Sequence, residues 1–142
     1  MALYKPRDDS YLLAGEIKKY ISLLKDKNIR VLDMGSGSGI QAETCIQAGI
    51  PRENILTADI DKEAVQHLKK KGFESIQSDL LSDIKGKFDM VIFNPPYLPE
   101  SKYDKEKDTT GGKKGCETIL RFLKQAKAHL NKDGRIFIVF SS

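Results

Sequence analysis

The chain has 142 residues, 39% hydrophobic and 31% charged, with a net charge of +4 at pH 7. That length fits one domain, residues 1–142, able to bury roughly two-thirds of its unfolded surface, and the composition excludes a disordered or low-complexity chain. No apolar run reaches membrane-spanning length, the mild positive charge falls far short of a nucleic-acid signature, and Cys45 and Cys116, 71 positions apart, give neither a clustered zinc site nor a disulfide framework.

At the amino end Met1-Ala2-Leu3-Tyr4-Lys5-Pro6 has no apolar leader, so the cytosol is the expected compartment. Tyr4 to Arg7 reads as an extended arm. Asp8, Asp9 and Ser10 offer N-caps to a segment in which Leu13, Ile17, Ile21 and Leu24 recur every three or four residues, which predicts an amphipathic helix over about 9–26. The run Ile29 to Met34 is a short strand that ends in Gly35-Ser36-Gly37-Ser38-Gly39, and a helix follows through Ala48, closed by Gly49. A glycine turn between strand and helix brings a ligand against bare backbone N–H groups. Asp33, two residues before the first glycine, would repel a pyrophosphate there, and the G-x-G-x-G spacing departs from the dinucleotide fingerprint. A ligand with a positive amino group fits better, and S-adenosylmethionine has one.

A second strand, Asn54 to Asp59, places another carboxylate 26 positions after Asp33, near the interval at which a βαβ unit sets a ribose-binding acid. Asp61 then caps a helix carrying Val65 and Leu68 that Gly72 closes, and His67 lies on its lysine-rich face. Phe73 to Ser78 alternates like an edge strand and delivers Asp79 and Leu80. Phe88 to Phe93 is a buried strand that stops at Asn94-Pro95-Pro96-Tyr97, where two prolines remove two backbone donors and leave carbonyls free. In an open parallel sheet, ligands bind at the carboxyl ends of the strands, so Asp33, Asp59, Asp79 and Asn94 are expected to share one crevice.

From Asn94 to Lys114 no apolar period runs, and a lid-like loop is expected. A helix from Gly115 carries Ile119, Phe122, Leu123, Ala126 and Leu130 on one face, with His129 a bystander. Asn131 to Gly134 reads as a turn. The last strand, Ile136 to Phe140, is apolar without alternation and so expected to be buried on both faces; as a free edge it implies further strands or a covering partner.

The order Asp-x-Gly-x-Gly-x-Gly, Asp59, Ser78-Asp79-Leu80 and Asn-Pro-Pro-Tyr resembles the class I S-adenosylmethionine-dependent methyltransferases that modify amino groups. Tyr4 to Leu13 and Gly111-Gly112-Lys113-Lys114-Gly115 further resemble the release-factor glutamine methyltransferases of the eukaryotic and archaeal HemK-related kind, with Lys5 departing from the acidic residue found there. The resemblance implies an α/β, Rossmann-like, mostly parallel sheet with helices on both faces, lacking that family's last two strands. It implies that Asp33, Gly35 and Gly37 hold the methionine part of the cofactor, Asp59 the ribose, Asp79 with Leu80 the adenine, and that Ser10 touches the cofactor. Asn94, Pro95, Pro96 and Tyr97 form the catalytic segment, with Asn94 also bordering the cofactor. The implied reaction is methylation of a glutamine side-chain amide in the Gly-Gly-Gln of a translation release factor. The implied partner is a small zinc-binding activator of the Trm112 kind on the edge of the third strand, and no metal is expected in the chain itself. The rival readings are an adenine- or cytosine-amino methyltransferase of nucleic acid, which needs a basic, aromatic groove, and a non-catalytic cofactor-binding subunit.

Overall fold

The computed structural model describes residues 8–95 and 105–138, without the side chains of 8–9 and 105–116. The predicted arm at Tyr4 to Arg7, and Pro96 and Tyr97, lie outside the described residues. Among the described residues the α-helices and strands follow in the order α1 (Asp8–Ser22), β1 (Val31–Met34), α2 (Ile40–Gln47), β2 (Ile55–Asp59), α3 (Lys62–Lys70), β3 (Glu74–Gln77), β4 (Phe88–Phe93), α4 (Lys105–Ala128) and β5 (Leu130–Ile138), with a single 3-10 turn at Arg52–Asn54 before β2.

The strands form one sheet in the order β3-β2-β1-β4-β5, and every recorded pairing is parallel. A parallel neighbour requires a crossover, and α2, α3 and α4 supply crossovers between successive strands. β1 and β2 are buried at every position, as strands covered on both faces must be. Alternate residues feed two cores. On one face Val31, Ile55, Met90 and Ile92 pack with Leu13, Ile17 and Ile21 of α1, Ala42 and Cys45 of α2 and Leu68 of α3. On the other, Leu32, Met34, Leu56, Ala58, Val91 and Phe93 pack with Phe122 and Ala126 of α4.

Three departures from the sequence reading have local causes. α1 stops at Ser22 rather than Asp26, where the Ser22 hydroxyl donates back to the Lys19 carbonyl at 2.7 Å. α4 begins at Lys105, ten positions before the expected start, so Gly111, Gly112 and Gly115 lie on a helix rather than in or beside a loop. Charged helix formers such as Lys105, Glu106 and Lys107 leave no apolar stripe for periodicity to detect. The Asn131 to Gly134 turn sits inside β5. Leu130 pairs with Phe88 and Arg135 with Met90, so the four residues between form a bulge, with Asp133 at φ 65°. Ile136, Phe137 and Ile138 are half-buried rather than covered on both faces.

Candidate active site

Parallel pairing puts the ends of β1, β2, β3 and β4 on one rim. Met34 is level with Ala58 and Phe93, and Asp59 with Gln77. The chain therefore leaves the sheet at Gly35, Ile60, Ser78 and Asn94 along the same edge.

The glycine turn is held from two sides. The Gly35 and Ser36 N–H groups donate to the Ala58 carbonyl at 2.8 and 3.1 Å, and the Asn94 N–H donates to the Met34 carbonyl at 3.2 Å. Gly35 stands at φ 72°, and a Cβ there would come within 2.6 Å of the Asn94 carbonyl oxygen. Only glycine lets the turn after β1 and the segment after β4 approach so closely.

Asp33 is fully buried. Its Oδ2 accepts the Ser36 hydroxyl at 2.7 Å and the Ala42 N–H of the first turn of α2 at 3.2 Å, while Oδ1 is buried with no partner among the described residues. Burial raises its pKa to about 7 despite the Ser36 and Ala42 bonds, with a smaller upward push from the neighbouring Asp59. Asp59 accepts the Gly37 N–H on Oδ2 and the Asp61 N–H on Oδ1, each at 2.9 Å. Burial also moves its pKa upward. Two backbone bonds leave a carboxylate with acceptor capacity for a pair of hydroxyls. The Asp61 side chain caps α3 through the Glu63 N–H at 3.0 Å, the role expected of it.

Ser10 and Asn94 lie against each other although 84 positions separate them. The Asn94 Nδ2 donates to the Ser10 Oγ at 3.4 Å, and the Asn94 Oδ1 is buried without a partner among the described residues. Pro95 beside it is buried. Asp79 is placed differently: its carboxylate is exposed and paired with Arg121 of α4 at 3.1 Å, on the same rim but bonded to no other predicted residue among those described. Leu80 follows, buried, at φ 53°.

Sequence reasoning missed Ser36, whose hydroxyl bonds Asp33, and Gln41. Gln41 is 1% exposed, and its Nε2 donates to the Ser10 carbonyl at 3.0 Å, tying the start of α1 to α2. A glutamine at a core position of α2 was the available signal. A concavity of about 310 Å³ between α1 and α2, lined by Tyr11, Ala14, Lys18 and Thr44 among others, contains none of the predicted site residues. Cys45 is buried with its thiol pKa pushed up by that burial, an inert core residue.

The donor set decides what fits here. Asp33 Oδ1 and Asn94 Oδ1 are buried acceptors awaiting donors, and Asp59 has acceptor capacity to spare. Lys71, the cation that meets the turn at the Ser38 carbonyl, is already paired with Glu43 at 3.1 Å. Such a rim suits an ammonium and ribose hydroxyls and disfavours phosphate. The residues thus fit S-adenosylmethionine, and together with the sheet order they define a class I S-adenosylmethionine-dependent methyltransferase.

Comparison with known proteins gives the same class. Residues 18–142 match the family described as methyltransferase small domain. A Methanocaldococcus jannaschii protein that carries the provisional name protein N5-glutamine methyltransferase is 34% identical over 152 aligned positions, spanning 99% of this chain and 73% of that protein. The release factor glutamine methyltransferase of Borreliella burgdorferi is 33% identical over 94% of this chain, which spans about half, 51%, of its length. Among solved structures, the Thermus thermophilus 16S rRNA N2 G1207 methyltransferase in complex with AdoMet and guanosine shares the fold. Its TM-score is 0.69 at 20% identity, over 94% of this chain and 34% of that one. The chain belongs to the methyltransferase small domain family and, within it, groups with the HemK-related methyltransferases.

Proposed function

We propose that the chain methylates the side-chain amide nitrogen of a glutamine, the acceptor being the Gly-Gly-Gln of a translation release factor. The observation that carries this reading is the Oδ1 of Asn94, buried without a partner among the described residues and set at the end of β4 against the glycine turn. A glutamine amide is a poor nucleophile because its lone pair is delocalised into the carbonyl. Asn94 Oδ1 and the Pro95 carbonyl are acceptors for its two N–H bonds, and holding both favours the pyramidal nitrogen of the transition state. The cofactor supplies an activated methyl on a sulfonium. With the cofactor bound, its sulfonium would give up the methyl to that nitrogen and remain as a neutral thioether while the nitrogen loses one proton, so the part left to the chain's own residues is positioning. Ser10 fixes Asn94 by accepting from its Nδ2, which directs Oδ1 away from itself. Pro96 and Tyr97, which lie outside the described residues, belong to the same catalytic segment in this reading.

In this reading Asp33, Gly35 and Gly37 hold the methionine part, Asp59 the ribose, and Asp79 with Leu80 the adenine. A small zinc-binding activator of the Trm112 kind extends the sheet at β3, which is an edge strand with Glu74 and Gln77 exposed.

Transfer of labelled methyl to a release factor, to RNA and to DNA, with and without the activator, tests the reading. Incorporation into the glutamine of Gly-Gly-Gln is expected. Asn94→Ala is expected to keep cofactor binding and to lose at least about a hundredfold in transfer, the scale of one lost charge-stabilising contact. A variant that still methylates at the parent rate removes Asn94 from the mechanism, and transfer to nucleic acid alone overturns the choice of acceptor.

A further inference from the structure

α4 reaches across to the turn that follows β3, and the turn is strained. Leu80 at φ 53° is left-handed, which brings the Cβ of a residue with a side chain too close to the following carbonyl, and such strain persists only where the surroundings over-determine it. Ser78, 1% exposed, supplies two of the bonds. Its hydroxyl donates to the Leu80 carbonyl at 2.6 Å and accepts the Asp83 N–H at 3.0 Å. The third comes from outside the turn: Gln125 Oε1 accepts the Leu81 N–H at 2.8 Å, 44 positions away in sequence. One helical turn earlier on α4, Arg121 bonds Asp79 Oδ2 at 3.1 Å. That pair is 53% and 56% exposed and therefore weakly held. The half-buried Gln125 bond is the firmer link between helix and turn.

We propose that Gln125 is a positioning residue for the adenine end of the cofactor, acting through the Leu81 N–H to hold Asp79 and Leu80 where they meet the base. The proposal rests on the reading of Asp79 and Leu80 as adenine contacts. The Watson–Crick edge of adenine offers an amino donor and a ring acceptor. Hypoxanthine reverses both, with an oxo group in place of the amino group. A carboxylate at Asp79 rewards the first and repels the second, so the preference between the two bases reports the geometry of this turn.

The test is calorimetric titration of the full chain, alone or with the activator subunit, using S-adenosylhomocysteine and its hypoxanthine analogue. Asp79→Asn is expected to abolish the preference for adenine. Gln125→Met, which keeps the length and loses the acceptor, is expected to cut it about tenfold, the worth of one good hydrogen bond. The affinity for the hypoxanthine compound should change little. Gln125→Glu keeps an acceptor oxygen and should retain the preference. If Asp79→Asn abolishes the preference while Gln125→Met leaves it intact, or weakens both compounds equally, Gln125 is only a structural contact and the proposal is overturned. If Asp79→Asn leaves the preference intact, the adenine assignment itself is wrong and the proposal falls with it.

Discussion

Asp33 binds its own turn together and at the same time pays a desolvation cost. Its folded pKa, about 7, lies above the ordinary 3.8, so the proton is held more tightly in the folded chain than in the unfolded one. Stability from this group is fully present below the ordinary value and is lost as pH rises through about 7. The ligand-free protein is therefore expected to lose melting temperature, relative to an Asp33→Asn variant, between about pH 4 and pH 7. The comparison cancels Asp59, whose carboxyl also shifts upward. An ammonium brought to Oδ1 favours the charged form, so cofactor binding near neutral pH should release a proton in the parent and not in the variant. Titration calorimetry in buffers of different ionisation enthalpy measures that difference. The placement of Asp33, Gly35, Asp59 and Asn94 on one rim was readable in advance because it follows from short local patterns: an acid before a glycine turn, an acid after a strand, an amide before two prolines. Ser10 came from the resemblance. The Gln41 bond to the Ser10 carbonyl spans 31 positions, and no local pattern announces a contact formed only when α1 packs on α2.

Among elements, β4 was legible over its whole span, and the cause is physical: six residues buried or half-buried, bounded by proline, leave no alternative. α4 was legible only where an apolar face shows. Phe122 on that face is fully buried and stacks on Phe93, the last residue of β4, with ring centroids 4.2 Å apart at 21°. Phe122→Ala is expected to cost about 3–5 kcal/mol, read as a lower urea midpoint with an unchanged slope. Because Phe93 adjoins Asn94, transfer should fall by more than the folded fraction does. A conservative Phe122→Leu that restores stability without restoring transfer would show that the ring stack, beyond mere filling, orients the end of β4. The bulge in β5 escaped prediction as a bulge because Asn131-Lys132-Asp133-Gly134 has turn chemistry, and sequence cannot say that pairing with β4 resumes at Arg135.

For the whole molecule, the strand order leaves β3 at one edge and β5 at the other among the described residues. Fold class, parallel pairing and the convergence of strand ends were legible because strand, turn and helix alternate along the chain. The alternation of Phe73 to Ser78 also marked β3 as an edge, which is where the strand order places it among the described residues. β3 has one buried residue, Ser75, against the two exposed residues Glu74 and Gln77, the profile of a short strand open to augmentation. Co-expression with the activator subunit is therefore expected to raise both the yield of folded chain and its cofactor affinity. Tight cofactor binding by a stable lone monomer would remove the need for that partner.

The empty acceptor on Asn94 also bears on when the reaction stops. If its Oδ1 and the Pro95 carbonyl each take one N–H of the incoming amide, a singly methylated nitrogen returns with only one N–H to give. One buried acceptor is then left bare, a penalty of about 1–3 kcal/mol on retaining the product. The site should discharge its product after a single round and refuse it on re-entry, so mass spectrometry of exhaustively treated substrate is expected to find monomethylated and no dimethylated glutamine.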